Sequence, residues 1–212
     1  MTINTTRIVT LAVVLFVSGS AVSSVIGQQT ISSNTQPMAV IKYDGEMASL
    51  LATLAEQFSV TIGMEVDSKY STHVSLFLRE ATLADVLNAI VKSAPSYQWR
   101  ERNGCIEVLP VKAGNSLLDK KISSLWISDV VQTEAVNRLM NQGEVQGNLE
   151  AMGLTRRETG SAEHMNNTRF SLDLQGVTIR QALHQIAKES GGRFWLFQTR
   201  NDGSFSIRNS PY

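Results

Sequence analysis

Apolar residues fall at helical spacing at Met47, Leu50, Leu51, Leu54 and Phe58, then alternate with other residues at Val60, Ile62, Met64 and Val66. The change of period predicts an amphipathic helix that runs into a strand. A short apolar run, Met38 to Lys42, precedes this helix, with a turn at Asp44-Gly45 between them. After a second turn at Asp67-Ser68, Val74, Leu76 and Leu78 alternate again and predict another strand. Thr82 and Asp85 stand at capping-box spacing before Leu83, Val86, Leu87, Ile90 and Val91, a second helical stripe that ends ahead of Pro95. Tyr97 and Trp99, the Asn103-Gly104 turn, and Ile106 with Val108 then spell a hairpin. The order is β-α-β-β-α-β-β.

This pattern occurs twice. Shifted by 96 positions, Val74–Leu78 aligns with Phe170–Leu174, and the match continues without a gap to Trp99 and Trp195. Ser75/Ser171, Leu76/Leu172, Leu78/Leu174, Thr82/Thr178, Leu87/Leu183, Ile90/Ile186, Lys92/Lys188 and Trp99/Trp195 are identical pairs. So long a register predicts two copies of one unit, the first over 38–112 and the second over 117–212, joined by Lys112-Ala113-Gly114-Asn115-Ser116.

In the second copy, Lys121 to Leu125 is the expected first strand. Ser128 is the expected cap of a helix carrying Val131, Ala135, Leu139 and Met140, and Trp126 is read as a staple at its start. Thr178 and Gln181 repeat the capping spacing, and Asp202-Gly203 replaces Asn103-Gly104. No alternating run replaces the strand at Val60–Val66. In its place stands 143–165, rich in glycine, with Arg156 and Arg157, which reads as an inserted loop. The fold class expected is α+β: two tandem small domains, each with two helices packed on small sheets, the second lacking one strand.

Ahead of the repeats, Arg7 precedes an apolar run from Ile8 to Val17 and the small residues Ser18 to Ala21, the layout of a secretory signal over 1–27. Residues 28–37 read as a polar leader. Contact with a membrane is expected only if the signal is left uncleaved. The chain carries 19 Lys+Arg against 19 Asp+Glu, so no excess of cations supports binding to nucleic acid. The single cysteine, Cys105, can form neither an internal disulfide nor a thiolate metal site.

The run Leu50 to Val60, the stretch Val74-Ser75-Leu76-Phe77-Leu78-Arg79-Glu80-Ala81-Thr82-Leu83-Ala84-Asp85-Val86-Leu87 and the hairpin opened by Tyr97-Gln98-Trp99 resemble the short domain at the N-terminus of secretins and TonB-dependent receptors. The likeness covers 38–112 well and 117–212 more weakly. It implies a periplasmic module of two helices and two sheets that binds other proteins. The implied partner is a protein of the cell envelope: a secretin, a TonB-dependent receptor or a component of a sigma-factor regulator. The module is expected to act without a pore or barrel of its own.

The residues themselves offer little chemistry. His73, His164 and His184 lie far apart and lack metal-ligand spacing. His184 reads as a solvated residue beside an apolar stripe, and Cys105 as an inert strand residue. No phosphate loop or nucleophile elbow is present. An enzyme is not expected, nor a cofactor or metal. Glu163 and His164 are the only acid-base candidates. Strand parity turns Phe77 away from the core facing Val74, Leu76 and Leu78, where it is either a contact patch or covered by a neighbouring element. Phe194 and Leu196 share one strand face, Trp195 and Phe197 the other, so that strand is either sandwiched or open on one side. The candidate interaction residues are therefore Phe77, Phe194 and Leu196, with Arg156 and Arg157 in the loop. The alternative is a small molecule held between the two domains.

Overall fold

The computed structural model describes residues 38–112, 114, 116–157 and 167–209. The expected signal and leader, and 158–165 of the expected loop with Glu163 and His164, lie outside them. The first half runs β1 (Met38–Glu46), α1 (Met47–Gln57), β2 (Thr61–Asp67), β3 (His73–Ala81), α2 (Leu83–Ser93), β4 (Tyr97–Arg102) and β5 (Cys105–Pro110). A 3-10 turn at Leu117–Asp119 leads to β6 (Ser124–Val130), α3 (Gln132–Met140), α4 (Gly143–Ala151), β7 (Thr155–Arg156), β8 (Phe170–Gln175), α5 (Ile179–Glu189), β9 (Phe194–Thr199) and β10 (Ser204–Arg208). The fold is α+β.

Both capping boxes form. Thr82 Oγ1 accepts from the Asp85 amide while Asp85 Oδ2 accepts from the Thr82 amide, and Thr178 with Gln181 does the same at the start of α5. Each cap contributes about 1 kcal/mol and fixes where its helix begins.

Three expectations for the second half are corrected. Its missing strand is present as the two-residue β7, which pairs in parallel with β10 as β2 pairs with β5. The segment read as a loop carries α4, pinned by the buried Val145 and Leu149 and by Glu144, whose carboxylate accepts from the Ser123 amide at 2.7 Å. With glycines at 143 and 147 and only that one apolar pair, the stretch has too little periodicity to read as a helix. Ser128 caps nothing: β6 continues past it through a bulge where Asp129 takes φ +50°, and α3 starts after Val131 without a side-chain cap.

Three sheets form. β1 pairs with β3 and β6 with β8 as antiparallel two-stranded sheets, while the halves merge in one six-stranded sheet ordered β4-β5-β2-β9-β10-β7. The junction is a parallel pairing of β2 with β9, Ile62 opposite Phe194 through Asp67 opposite Thr199. The trio β9-β10-β7 repeats the order β4-β5-β2 with every strand direction reversed. A half-turn about an axis crossing the strands relates the two trios, and this turn puts the helices of the second half on the opposite face of the shared sheet.

The packing follows. One core gathers α1, α2, Ile62, Met64, Val66, Ile106 and Val108 with Phe194 and Leu196, and the other gathers α3, α5 and the inner residues of β6 with Trp195 and Phe197. β9 thus serves both cores with alternate residues, each large buried side chain contributing roughly 1.5–3 kcal/mol. This overturns the expectation that Phe194 and Leu196 form a contact patch: β2 pairs alongside and the first half covers their face. β4, at the edge of the sheet, alternates buried or half-buried residues with exposed ones, and its Trp99 is only half-buried where Trp195 is fully buried.

Candidate functional site

Two places bring functional side chains together: the seam between the halves and the outer faces of the two small sheets. The seam is built on α5, whose Arg180 and His184 stand one turn apart and point at the shared sheet. Arg180, 2% exposed, donates to Glu65 on β2 at 2.6 Å and to Asp119 at 3.1 Å, while the Ser116 hydroxyl donates to the other Glu65 oxygen at 2.6 Å. Burial works against the Arg180 charge, but the two carboxylates outweigh it and raise its pKa.

His184 sits between Trp195 and Glu107. The Trp195 indole N–H donates to Nδ1 at 3.2 Å, and Nε2 lies 3.3 Å from Glu107 Oε1. An indole N–H only donates, so Nδ1 accepts and the ring proton lies on Nε2, directed at Glu107. The second Glu107 oxygen takes Arg100 Nε at 2.6 Å. Burial pushes the Glu107 carboxyl upward, yet hydrogen bonds from His184 and Arg100 and the charges of Arg180 and Arg100 hold it down to about 2. Gly63, opposite both Glu107 and Trp195 in the sheet, is the floor on which the indole lies: a Cβ there would overlap Cζ2 and Cε2 of Trp195.

Beside this pair, a cleft of about 140 Å³ is lined by Arg102, Cys105, Glu107, Leu174, Gln181 and His184, among others. Burial pushes the Cys105 thiol up to about 11, which keeps it protonated and poorly nucleophilic at neutral pH. Both Glu107 oxygens and both His184 nitrogens are engaged within the protein, so the arrangement fastens the two halves. The sequence reading of His184 as solvated is thereby corrected. The signal that could have found it is its place: eleven residues before Trp195, just as Asn88 stands eleven before Trp99, and Asn88 Oδ1 accepts from the Trp99 indole at 2.9 Å. Among the described residues, no group of three or more His, Cys, Asp or Glu is placed to hold a metal ion, and no helix is long and apolar enough to cross a membrane.

The small sheets lie on opposite sides of the shared sheet, each with one face on its own core and one in solvent. Phe77 on β3 is 60% exposed, as parity predicted, and faces outward opposite Lys42. Trp126 is 70% exposed. It staples no helix, because β6 extends beyond it and directs Leu125 and Ile127 inward instead. Asp173 stands opposite Trp126 at the register position that Phe77 holds opposite Lys42. Arg156 and Arg157 are engaged within the second half, Arg156 with Asn137 on α3 at 2.6 Å and Arg157 with Asp202 at 2.7 Å, and so fasten β7 in place. Of the predicted interaction residues, Phe77 alone is a bare apolar side chain.

Comparison with protein-family models, curated proteins and solved structures gives no match.

Proposed function

We propose that this chain is an exported periplasmic module that recruits a protein partner of the cell envelope by strand addition. The resemblance of 38–112 to the short N-terminal domain of secretins and TonB-dependent receptors suggests the compartment and the class of partner. The observation that carries the reading is the pair of two-stranded sheets. Among the described residues β1, β3, β6 and β8 each have one neighbouring strand and one open edge, and an open edge offers backbone N–H and C=O groups to an extended segment of another protein. Natural proteins shield such edges unless they are used.

The alternative of a small molecule held between the halves has less support. The seam is filled by core residues and paired charges, and its cleft of about 140 Å³ falls below the roughly 300–1,000 Å³ of ordinary ligand pockets.

The test is cell fractionation combined with photo-crosslinking from Ser75 on β3 and Gln175 on β8, both exposed. The proposal expects a periplasmic protein that forms adducts with one and the same envelope protein. Recovery in the cytosol, or adducts with the chain itself alone, contradicts it.

A further inference from the structure

The outer faces of the two small sheets are unlike each other in a complementary way. On the first, Val40 and Lys42 of β1 stand beside Phe77 and Arg79 of β3, with Val40 opposite Arg79 and Lys42 opposite Phe77. Val40 is 58% exposed and the Arg79 guanidinium lies over the Phe77 ring at 5.5 Å. Among the described residues, no carboxylate pairs with Lys42 or Arg79. On the second face Trp126 stands opposite Asp173, whose carboxylate accepts from Gln175 and is joined to no cation among the described residues. One face is therefore aromatic with two cations, its neighbouring carboxylate, Asp44, lying 3.2 Å from His73 at the far end, and the other is aromatic with an anion.

We infer that these faces bind each other between copies of this chain: the face of Phe77, Lys42 and Arg79 on one molecule takes the face of Trp126 and Asp173 on the next. Contact places a cation over the Trp126 ring, the strongest aromatic acceptor for one, and gives Asp173 the charge partner it lacks among the described residues. It also covers the two aromatics left bare. The two faces belong to opposite sides of the shared sheet, so the contact is heterologous, and after docking one copy keeps its Trp126 face free and the other its Phe77 face. Such a contact builds open chains, or a ring where the rotation closes. The patches comprise few residues against the roughly 800 Å² per partner of a stable complex, so the contact is weak and forms at high local concentration. Local concentration within an envelope assembly then governs whether chains form. The inference shares with the proposed function the reading of the small sheets as docking elements, but it uses their faces and leaves their edges free for the partner.

Sedimentation velocity on the purified protein, across a wide concentration series, is the test. Wild type is expected to grow beyond dimer as concentration rises. Phe77→Ser and Trp126→Ser, both at exposed positions and checked for folding by circular dichroism, should each remain monomeric. An equimolar mixture of the two should stop at dimer, because one intact face of each kind remains in the pair. Asp173→Lys should abolish growth, and Lys42→Glu with Arg79→Glu in the same chain should restore it. Monomeric wild type at all concentrations, a dimer that forms within either single variant, or growth in the mixture beyond dimer overturns the inference. Ser75 and Gln175 lie on these same faces, so the crosslinking is done in the Phe77→Ser with Trp126→Ser double variant, where adducts with a different envelope protein bear on the proposed function alone and oligomer size in the wild type bears on this inference alone.

Discussion

The indole of Trp195 donates to Nδ1 of His184 across the same eleven-residue interval that joins the Trp99 indole to Asn88. In each half the last helix is tied to the strand after it by one side-chain bond at one register position. The halves differ in what lies behind the acceptor. Asn88 is exposed, whereas His184 is buried and passes its second nitrogen to Glu107 of the other half. The bond that stays within the first half has its counterpart at the centre of the seam in the second.

Removal of the ring in His184→Ala leaves the Trp195 N–H and one Glu107 oxygen buried without partners, each at about 1–3 kcal/mol. His184→Asn, which reproduces the first-half pair, keeps an acceptor for the indole and should cost clearly less. Urea unfolding of the two variants checks this. Equal losses would mean that the indole bond contributes nothing.

Glu107 gives the fold a defined acid limb. Its carboxyl is held near 2 against an ordinary value of 4.5, so the unfolded state takes up the proton first. Its contribution, on the order of 3 kcal/mol, is fully present above about pH 4.5 and is lost as pH falls to about 2. Glu107→Gln should lower stability at neutral pH by about 2 kcal/mol and flatten that part of the stability curve. Parallel curves for variant and wild type between pH 5 and 2, measured by denaturant titration, would contradict the assignment.

Gly63→Ala should be costly although the backbone there is ordinary strand. The added methyl meets the flat side of a fully buried indole, and overpacking of this kind costs about 1–3 kcal/mol. Trp195→Phe, which removes the atoms in conflict, should lessen the penalty when the two changes are combined. A double-mutant cycle reads the coupling, and additive losses would show that the indole does not rest on Gly63.

Much of the fold was legible because its signals are local. The Thr82 and Thr178 caps, the periods of α1, α2 and α5, and the two hairpin turns are set by residues within a few positions of one another. The apolar run of β9, Phe194 to Phe197, is legible as two apolar faces, but the run leaves open whether one of them meets solvent, which is why Phe194 and Leu196 stand among the expected contact residues although both are buried. What that run could not name was the neighbour. The pairing of β2 with β9 spans more than a hundred residues, and only once it is made do Arg180, His184, Glu65 and Glu107 meet. Each of those four, taken singly, looks like a solvated polar residue. β7 was missed for the opposite reason, since two residues have no period.

Because β9 feeds both cores, the halves should unfold together. Leu87→Ala and Leu183→Ala each empty a buried site and should each lower stability by about 2–5 kcal/mol. Both should shift one shared transition, seen alike by circular dichroism and by tryptophan fluorescence. Two separate transitions, only one of which moves in each variant, would indicate independent halves.

The most direct test of the account is the β2–β9 junction itself, read by nuclear magnetic resonance on the isotope-labelled chain. The parallel register predicts inter-strand contacts between Ile62 and Phe194, Gly63 and Trp195, and Met64 and Leu196, with the amides of both strands exchanging no faster than global unfolding allows. Absence of those contacts, with β9 amides that exchange freely while β10 stays protected, would contradict a single sheet shared by the two halves.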